Sequence, residues 1–314
     1  MSTQTPPNVQ VADAAGVALA AQVLTGGGTV ALPTETVYGL AARADRAEAV
    51  ACIYRAKGRP DFNPLIVHVP GLAAAEALAL FDGRARALAA AFWPGPLTLV
   101  LPRCVDAPLA LTVSAGLPTV ALRVPAHPVM RAVLEAAGLP LAAPSANRSG
   151  GVSPTSAAHV AASLGGRVDL ILDGGQTEQG LESTIVVVRP GGGWAILRPG
   201  PVTEAAIAVV LGEAANEERR GIEAPGQLAS HYAPGKPVRL GATAAEAGEF
   251  LIGFGGVPGA VSLSADGDLA EAAARLYTCL HEAAAAPELR IAVAPIPEDG
   301  IGVAINDRLR RAAA

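Results

Sequence analysis

Short apolar runs closed by Pro or Gly alternate with Ala-rich stretches along most of the chain. Runs of four or five apolar residues bounded by turn formers read as buried strands. This pattern predicts strands at Thr29–Leu32, Leu65–Val69, Leu97–Leu101, Val120–Val124, Val168–Leu172, Ile185–Val188 and Ala195–Leu197. Helical spacing predicts helices over 11–24, 46–56, 72–80, 84–92, 127–137 and 156–164. The first of these stops at Gly26-Gly27-Gly28, and Asp45 with Glu48 reads as a D-x-x-E capping box for the second. Residues 1–10 are polar and read as a loose tail. The interleaving lacks a regular βαβ beat, so the fold class is α/β with a twisted mixed sheet up to about residue 205.

Residues 212–236 lose this periodicity. Charges cluster at Glu213–Arg220, then come Pro225-Gly226-Gln227 and Ser230-His231-Tyr232-Ala233-Pro234-Gly235. From Val238 a second, smaller α/β unit is expected, with a strand at Phe250–Phe254, a long helix over 268–286, a strand at Ile291–Ala294 and a helix over 301–312. The boundaries are drawn as 11–205, a connecting segment 206–236, and 237–314. No repeat is visible.

A chain of 314 residues suits two domains, and 51% hydrophobic against 16% charged residues excludes a disordered one. Aromatics are only 4%, so Ala, Val and Leu must build the core. Residues 1–205 carry 14 basic and 14 acidic groups, and 206–314 carry 9 and 14, which accounts for the net −5. Neither part has the basic balance of a protein that grips nucleic acid over a large area, which leaves room only for a local basic pocket. Cys52, Cys104 and Cys279 are odd in number and form no CxxC, so neither a disulfide framework nor a zinc site is expected, and a reducing compartment fits. No Lys or Arg precedes Arg43 and no long uncharged apolar run occurs, so a cytoplasmic protein without membrane attachment is expected.

P-loop, dinucleotide-fold, zincin and serine-hydrolase signatures are all absent. What remains is polar residues in Pro-rich turns at strand ends. Pro33-Thr34-Glu35-Thr36-Val37-Tyr38-Gly39-Leu40 can line a cleft or simply close a turn. Lys57-Gly58-Arg59 brackets a glycine in a chain with two lysines and 21 arginines. An ammonium beside a guanidinium suits a polyphosphate, but a solvated helix end explains an isolated K-G-R as well. Ser145 and Asn147 in Pro144-Ser145-Ala146-Asn147-Arg148-Ser149-Gly150 can hold phosphate oxygens or a metal-bound water. His68 lies in an apolar strand, and a lone strand histidine is more often core than ligand. Arg123, also in a strand, needs an anionic partner. Thr119, Glu182-Ser183-Thr184 and Arg198-Pro199-Gly200 complete a set that suggests one shared cleft.

In order and spacing, P-T-E-T-V-Y-G-L, K-G-R-P-x-x-N-P-L, P-G-P-L-T-L-V, P-S-A-N-x-S-G, S-T-I-V and R-P-G resemble the YrdC-like family over about residues 15–205. The added S-H-Y-A-P and the terminal Gly302-Val303-Ala304-Ile305-Asn306-Asp307-Arg308-Leu309 resemble its two-domain, threonylcarbamoyl-AMP-forming branch, whose extra domain is Rossmann-like. The resemblance implies synthesis of L-threonylcarbamoyladenylate from L-threonine, bicarbonate and ATP, with pyrophosphate released and Mg accompanying the nucleotide. The product would feed a tRNA threonylcarbamoyl transferase complex. Lys57, Arg59, Ser145 and Asn147 stand at the catalytic signatures. Arg59, Asn63, Thr119, Ser145, Ser153, Arg198 and Tyr232 are the implied ATP contacts, and Thr36, His68, Arg123, Ala143 and Ser183 the implied threonine contacts. No protein metal ligand is implied. The segment 206–236 is expected to act as a lid, with Tyr232 reaching the nucleotide. Two other readings are an RNA-binding module and a carbamoyltransferase that forms carbamoyl-adenylate. The neutral balance of 1–205 weighs against the first, and the lack of zinc-finger and acylphosphatase parts against the second.

Overall fold

The computed structural model describes residues 6–212, 215, 223–224 and 231–314. Among these residues, ten strands form one mixed sheet: β1 (Val9–Val11), β2 (Val30–Leu32), β3 (Gly39–Arg43), β4 (Ile66–His68), β5 (Leu97–Pro102), β6 (Thr119–Arg123), β7 (Leu141–Ala142), β8 (Leu170–Asp173), β9 (Thr184–Val188) and β10 (Trp194–Arg198). Their order is β1-β8-β2-β3-β7-β4-β6-β5-β9-β10. The sheet is flanked by α1 (Ala14–Thr25), α2 (Ala47–Lys57), α3 (Leu72–Glu76), α4 (Gly83–Phe92), α5 (Pro128–Ala137), α6 (Ala157–Leu164) and α7 (Glu204–Leu211). A second sheet of four parallel strands, ordered β11-β14-β12-β13, is built from β11 (Val238–Leu240), β12 (Glu249–Gly253), β13 (Val261–Ser262) and β14 (Arg290–Val293), with α8 (Leu269–Ala285) and α9 (Gly302–Ala312). The α/β class and the two-part order stand as the sequence predicts. No helix among the described residues is long and apolar enough to cross a membrane, and all three cysteines are free.

Side chains alternate between the two faces of each strand. Val67 of β4 and Leu122 of β6 point into the main core, which also holds Leu99, Leu101, Val186 and Trp194. Ile66, His68 and Arg123 therefore point to the other face, and a cavity opens there.

Four local expectations change. Val9–Val11 is an edge strand parallel to β8, not a loose tail; its valines are 42% and 71% exposed, so burial gives no signal. Gly39–Arg43 is a strand, paired with β2 and β7. The D-x-x-E capping box does not form. Arg46 takes the cap position without a side-chain bond, and Asp45 instead receives the Arg43 guanidinium at 2.7 and 2.6 Å. The boundary at 205/206 falls inside α7. Of the connecting segment, the Glu213–Arg220 cluster (apart from residue 215), Pro225-Gly226-Gln227 and Ser230 lie outside the described residues.

The two units dock tightly. The core of the second unit takes in Val37, Val152 and Leu181 from the first. Gly180, at φ +65°, lies so close to α8 that a Cβ would sit 2.4 Å from the Ala274 carbonyl oxygen, so only glycine allows this approach. Across the same seam the His159 and His281 rings stack at 3.9 Å, and Thr155 and Thr278 hydroxyls meet at 3.2 Å.

Candidate active site

Two loops that are distant in sequence meet at the cavity. Helix α2 ends at Lys57, and Gly58, at φ +60°, turns the chain sharply. The Lys57 ammonium donates to the carbonyls of Ser145 and Asn147, both at 2.5 Å. The Ser149 N–H returns a bond to the Lys57 carbonyl at 2.8 Å. Lys57 is thus spent on fixing the Ser145–Asn147 loop, and it does not face the cavity as a point charge for phosphate would. Burial and then neighbouring Arg59 hold its pKa well below the usual lysine value.

Arg59 does line the cavity. It is 8% exposed, and it donates to the carbonyls of Asn63 at 3.2 Å and Pro64 at 2.9 Å, which orients its fork. Burial lowers its pKa to about 10, so it remains charged at neutral pH. Arg198, also lining the cavity, donates to the Ser183 carbonyl at 3.1 and 2.9 Å and to its hydroxyl at 3.2 Å.

A second group of lining residues is built around Arg123. Its guanidinium donates to Thr36 Oγ1 at 3.0 Å, to Glu35 Oε1 at 2.6 Å and to the Gly95 carbonyl at 3.2 Å. Glu35 is therefore the anionic partner this strand arginine needs, and two of its five N–H groups are left over. Burial alone would raise the Glu35 carboxyl, but the charge and hydrogen bond of Arg123 outweigh it and hold the pKa below the usual value. His68 lies alongside, 2% exposed. Burial and then Arg123 push its imidazole down to about 3, so it is neutral.

The cavity is narrow and opens to solvent, with about 50 Å³ accessible to the centre of a water-sized sphere. Nine of the sequence candidates line it: Thr36, Arg59, His68, Arg123, Ala143, Ser145, Ser183, Arg198 and Tyr232. Asn147 stands behind Ser145, its amide bound to the Gly151 carbonyl at 2.7 Å. Ser153 gives its hydroxyl to Glu182 at 2.5 Å. Asn63 is buried beside Arg59. Thr119 lies at the start of β6, about 13 Å upstream of Arg123 on the same strand face. Asn63 Oδ1, His68 Nδ1 and the Tyr232 hydroxyl are buried without a hydrogen-bond partner among the described residues. Such groups are costly in a dry interior and suit a polar ligand.

Five buried basic side chains (Lys57, Arg59, Arg123, Arg198, Arg308) line or back the cavity against two buried carboxylates, Glu35 and Glu182. The site is built for an anion. No grouping of His, Cys, Asp or Glu among the described residues makes a metal site. Both cavity carboxylates are already engaged, Glu35 by Arg123 and the Ala126 N–H, Glu182 by Ser153, Tyr277 and Arg308. These residues do not fit a resident cation.

Residues 22–200 match the family model described as "Telomere recombination", and residues 202–314 match "Threonylcarbamoyl-AMP synthase, C-terminal domain". Similarity extends over nearly the full length of two relatives. The threonylcarbamoyl-AMP synthase of Bacillus subtilis is 39% identical over 95% of this chain and 92% of its own. That of Pyrococcus abyssi is 39% identical over 94% and 93%. The chain belongs to the threonylcarbamoyl-AMP synthase family. A crystal structure of P. abyssi Sua5 complexed with L-threonine superposes with a TM-score of 0.88 at 35% identity, over 98% of this chain and 97% of that one.

The family's second domain supplies part of the cavity's support. Tyr277 and Arg308 are not singled out as site residues by sequence, and Glu182 only as part of the strand-end run Glu182-Ser183-Thr184, because their pairing spans up to 126 positions. Only the unexplained terminal I-N-D-R-L motif hinted at Arg308. Glu182 is held down to about 2: burial would raise it, but Arg308 and Arg198 outweigh that.

Acid should loosen this fold. All five histidines are lowered from 6.5, chiefly by burial, with His68 and His231 down to about 3. Below pH 6.5 the unfolded chain then binds protons that the folded chain refuses. Stability therefore falls as pH drops from 6.5 toward 3, by roughly 1–2 kcal/mol for each of His68 and His231 at pH 5. Denaturant midpoints at pH 7.5 and 5.0 test this; equal midpoints would contradict it.

Proposed function

We propose that this protein joins L-threonine, bicarbonate and ATP into threonylcarbamoyl-AMP, releasing pyrophosphate, and that the cavity described above is where it does so. One family model matches each of the two domains, and the second is described by the activity itself. The observation that supports the site assignment is a single cavity lined by two separately anchored groups: Arg59 and Arg198, held by backbone carbonyls, and Thr36, His68 and Arg123, gathered around the Arg123–Glu35 pair.

The chemistry needs no covalent nucleophile. The threonine amine captures bicarbonate as a carbamate, with loss of water. A carbamate oxygen attacks the α-phosphorus, the bond to the β-phosphate bridging oxygen breaks, and pyrophosphate leaves. The protein's task is to position the reactants and neutralise charge. Arg59 and Arg198 would hold the phosphates, with Asn63, Ser145, Asn147, Ser153 and Tyr232 around them. Lys57 would act by locking the Ser145–Asn147 loop. The free N–H groups of Arg123 would take the threonine carboxylate, and Thr36 or His68 its hydroxyl, with Ala143 and Ser183 completing that group. Thr119 would reach the nucleotide from outside the cavity described here. Mg would come with the triphosphate, held by phosphate oxygens and water. The product would pass to a tRNA threonylcarbamoyl transferase complex in the cytoplasm, with no stable hold on tRNA by this chain.

The test is pyrophosphate release by the purified protein without RNA, combined with mass-spectrometric detection of the adenylate. Release is expected only when ATP, L-threonine and bicarbonate are all present. Release that ignores threonine, or that requires carbamoyl phosphate, would overturn the reading.

A further inference from the structure

We propose that Arg308, a residue of the second domain, is a positioning residue for Arg198 and Tyr232 in the cavity of the first. This rests on the functional reading above and deepens it.

Arg308 is fully buried on α9. It donates to Glu182 Oε2 at 2.9 Å, to the Pro199 carbonyl at 2.9 Å and to Asp307 at 2.7 Å. Two of these contacts flank a pair that matters. Arg198 is hydrogen-bonded to Ser183. Arg308 holds the residue before Ser183 and the residue after Arg198. It therefore fixes both backbones whose bond aims the Arg198 guanidinium. The strands meet so closely here that a Cβ on Gly200 would lie 2.5 Å from the Thr184 nitrogen, so a small shift in either backbone reaches the other.

Arg308 also lies over the Tyr232 ring, 5.2 Å from its centroid. Tyr232 has φ +66°, a strained backbone for a residue with a side chain. It is held there by the cation above it, by Tyr277 stacked at 5.6 Å, and by the Ala233 N–H bonded to the Gly150 carbonyl at 2.8 Å. A planar fork that pairs with a carboxylate, binds a carbonyl and covers a ring at once is a task lysine cannot copy.

The experiment is steady-state kinetics of the full chain with Arg308→Lys. Lysine keeps Glu182 paired, so the fold survives while the Pro199 contact and the ring cover are lost. The kcat/KM for ATP is expected to fall about tenfold, with a smaller change of no more than about threefold in KM for L-threonine, because Thr36, His68 and Arg123 are untouched and of the threonine contacts only Ser183 lies on the loosened backbone. Asp307→Asn, which loosens Arg308 without removing it, is expected to move the same parameter two- to threefold. In an Arg198→Lys background, Arg308→Lys should cost clearly less than tenfold, since one of the two residues it acts through is already gone and only Tyr232 remains. Unchanged ATP kinetics, an equal loss for both substrates, or an undiminished cost in that background would each overturn the proposal. If the wild-type chain makes no adenylate in the same assay, the functional reading itself fails.

Discussion

Replacing Glu182 with alanine is expected to destabilise the protein by about 3–5 kcal/mol, the largest single-site loss anticipated here. Its carboxylate is buried, and each oxygen serves a different unit. Oε1 takes the Ser153 hydroxyl, while Oε2 takes Tyr277 and Arg308 from the second domain. Among the described residues, removal would leave a fully buried guanidinium with Asp307 as its one remaining carboxylate partner, and would take the acceptor from the Ser153 and Tyr277 hydroxyls. Glu182→Gln keeps the shape and one acceptor and should lose less than half as much. Denaturant unfolding at pH 7.5 measures both; a wild-type midpoint for Glu182→Ala would refute the account. The pH dependence runs the same way. Because the pKa is about 2 when folded and near 4.5 otherwise, this contribution is present above pH 4.5 and disappears as pH falls toward 2.

Arg59→Ala is expected to lower turnover by about a hundredfold or more, the scale for losing one preorganised donor from a dry site. An exposed turn position would have made it a purely catalytic change. It is instead buried and bonded to the Asn63 and Pro64 carbonyls, so the loop 59–64 should also loosen. Arg59→Lys separates the two roles. It keeps the charge but not the paired carbonyl contacts, and should recover part of the stability and little of the rate. Adenylate formation near the wild-type rate by Arg59→Ala would contradict the assignment.

Much of this architecture can be read from residues alone. The strands at Leu97–Leu101, Val120–Val124 and Ile185–Val188 announce themselves because each is a β-branched or Leu-rich run with a turn former on either side. The meeting of the 57–59 and 145–147 turns follows from their shared chemistry, and the Lys57 bonds to Ser145 and Asn147 make it concrete. Gly39–Arg43 was hidden for a physical reason. It lies between two other strands with its residues largely buried on both faces, so it shows no alternation. Asp45 looked like a cap because spacing cannot reveal that Arg43, two residues away, competes for it. Glu35 was visible only as part of a turn motif, and its pairing with Arg123 across 88 positions needs the sheet order. Tyr277 sits in an Ala-rich helix whose pattern says only that one side is buried.

On the functional reading proposed above, the buried guanidinium groups that line the cavity have a bearing on the direction of the reaction. A cage that attracts three linked phosphates attracts two almost as well. Pyrophosphate should therefore linger after the bond breaks, next to the newly made mixed anhydride and correctly aligned to run the step backward. Net flow toward product then depends on how quickly the leaving group is destroyed once it escapes, which ties the output of this protein to whatever hydrolyses inorganic diphosphate around it.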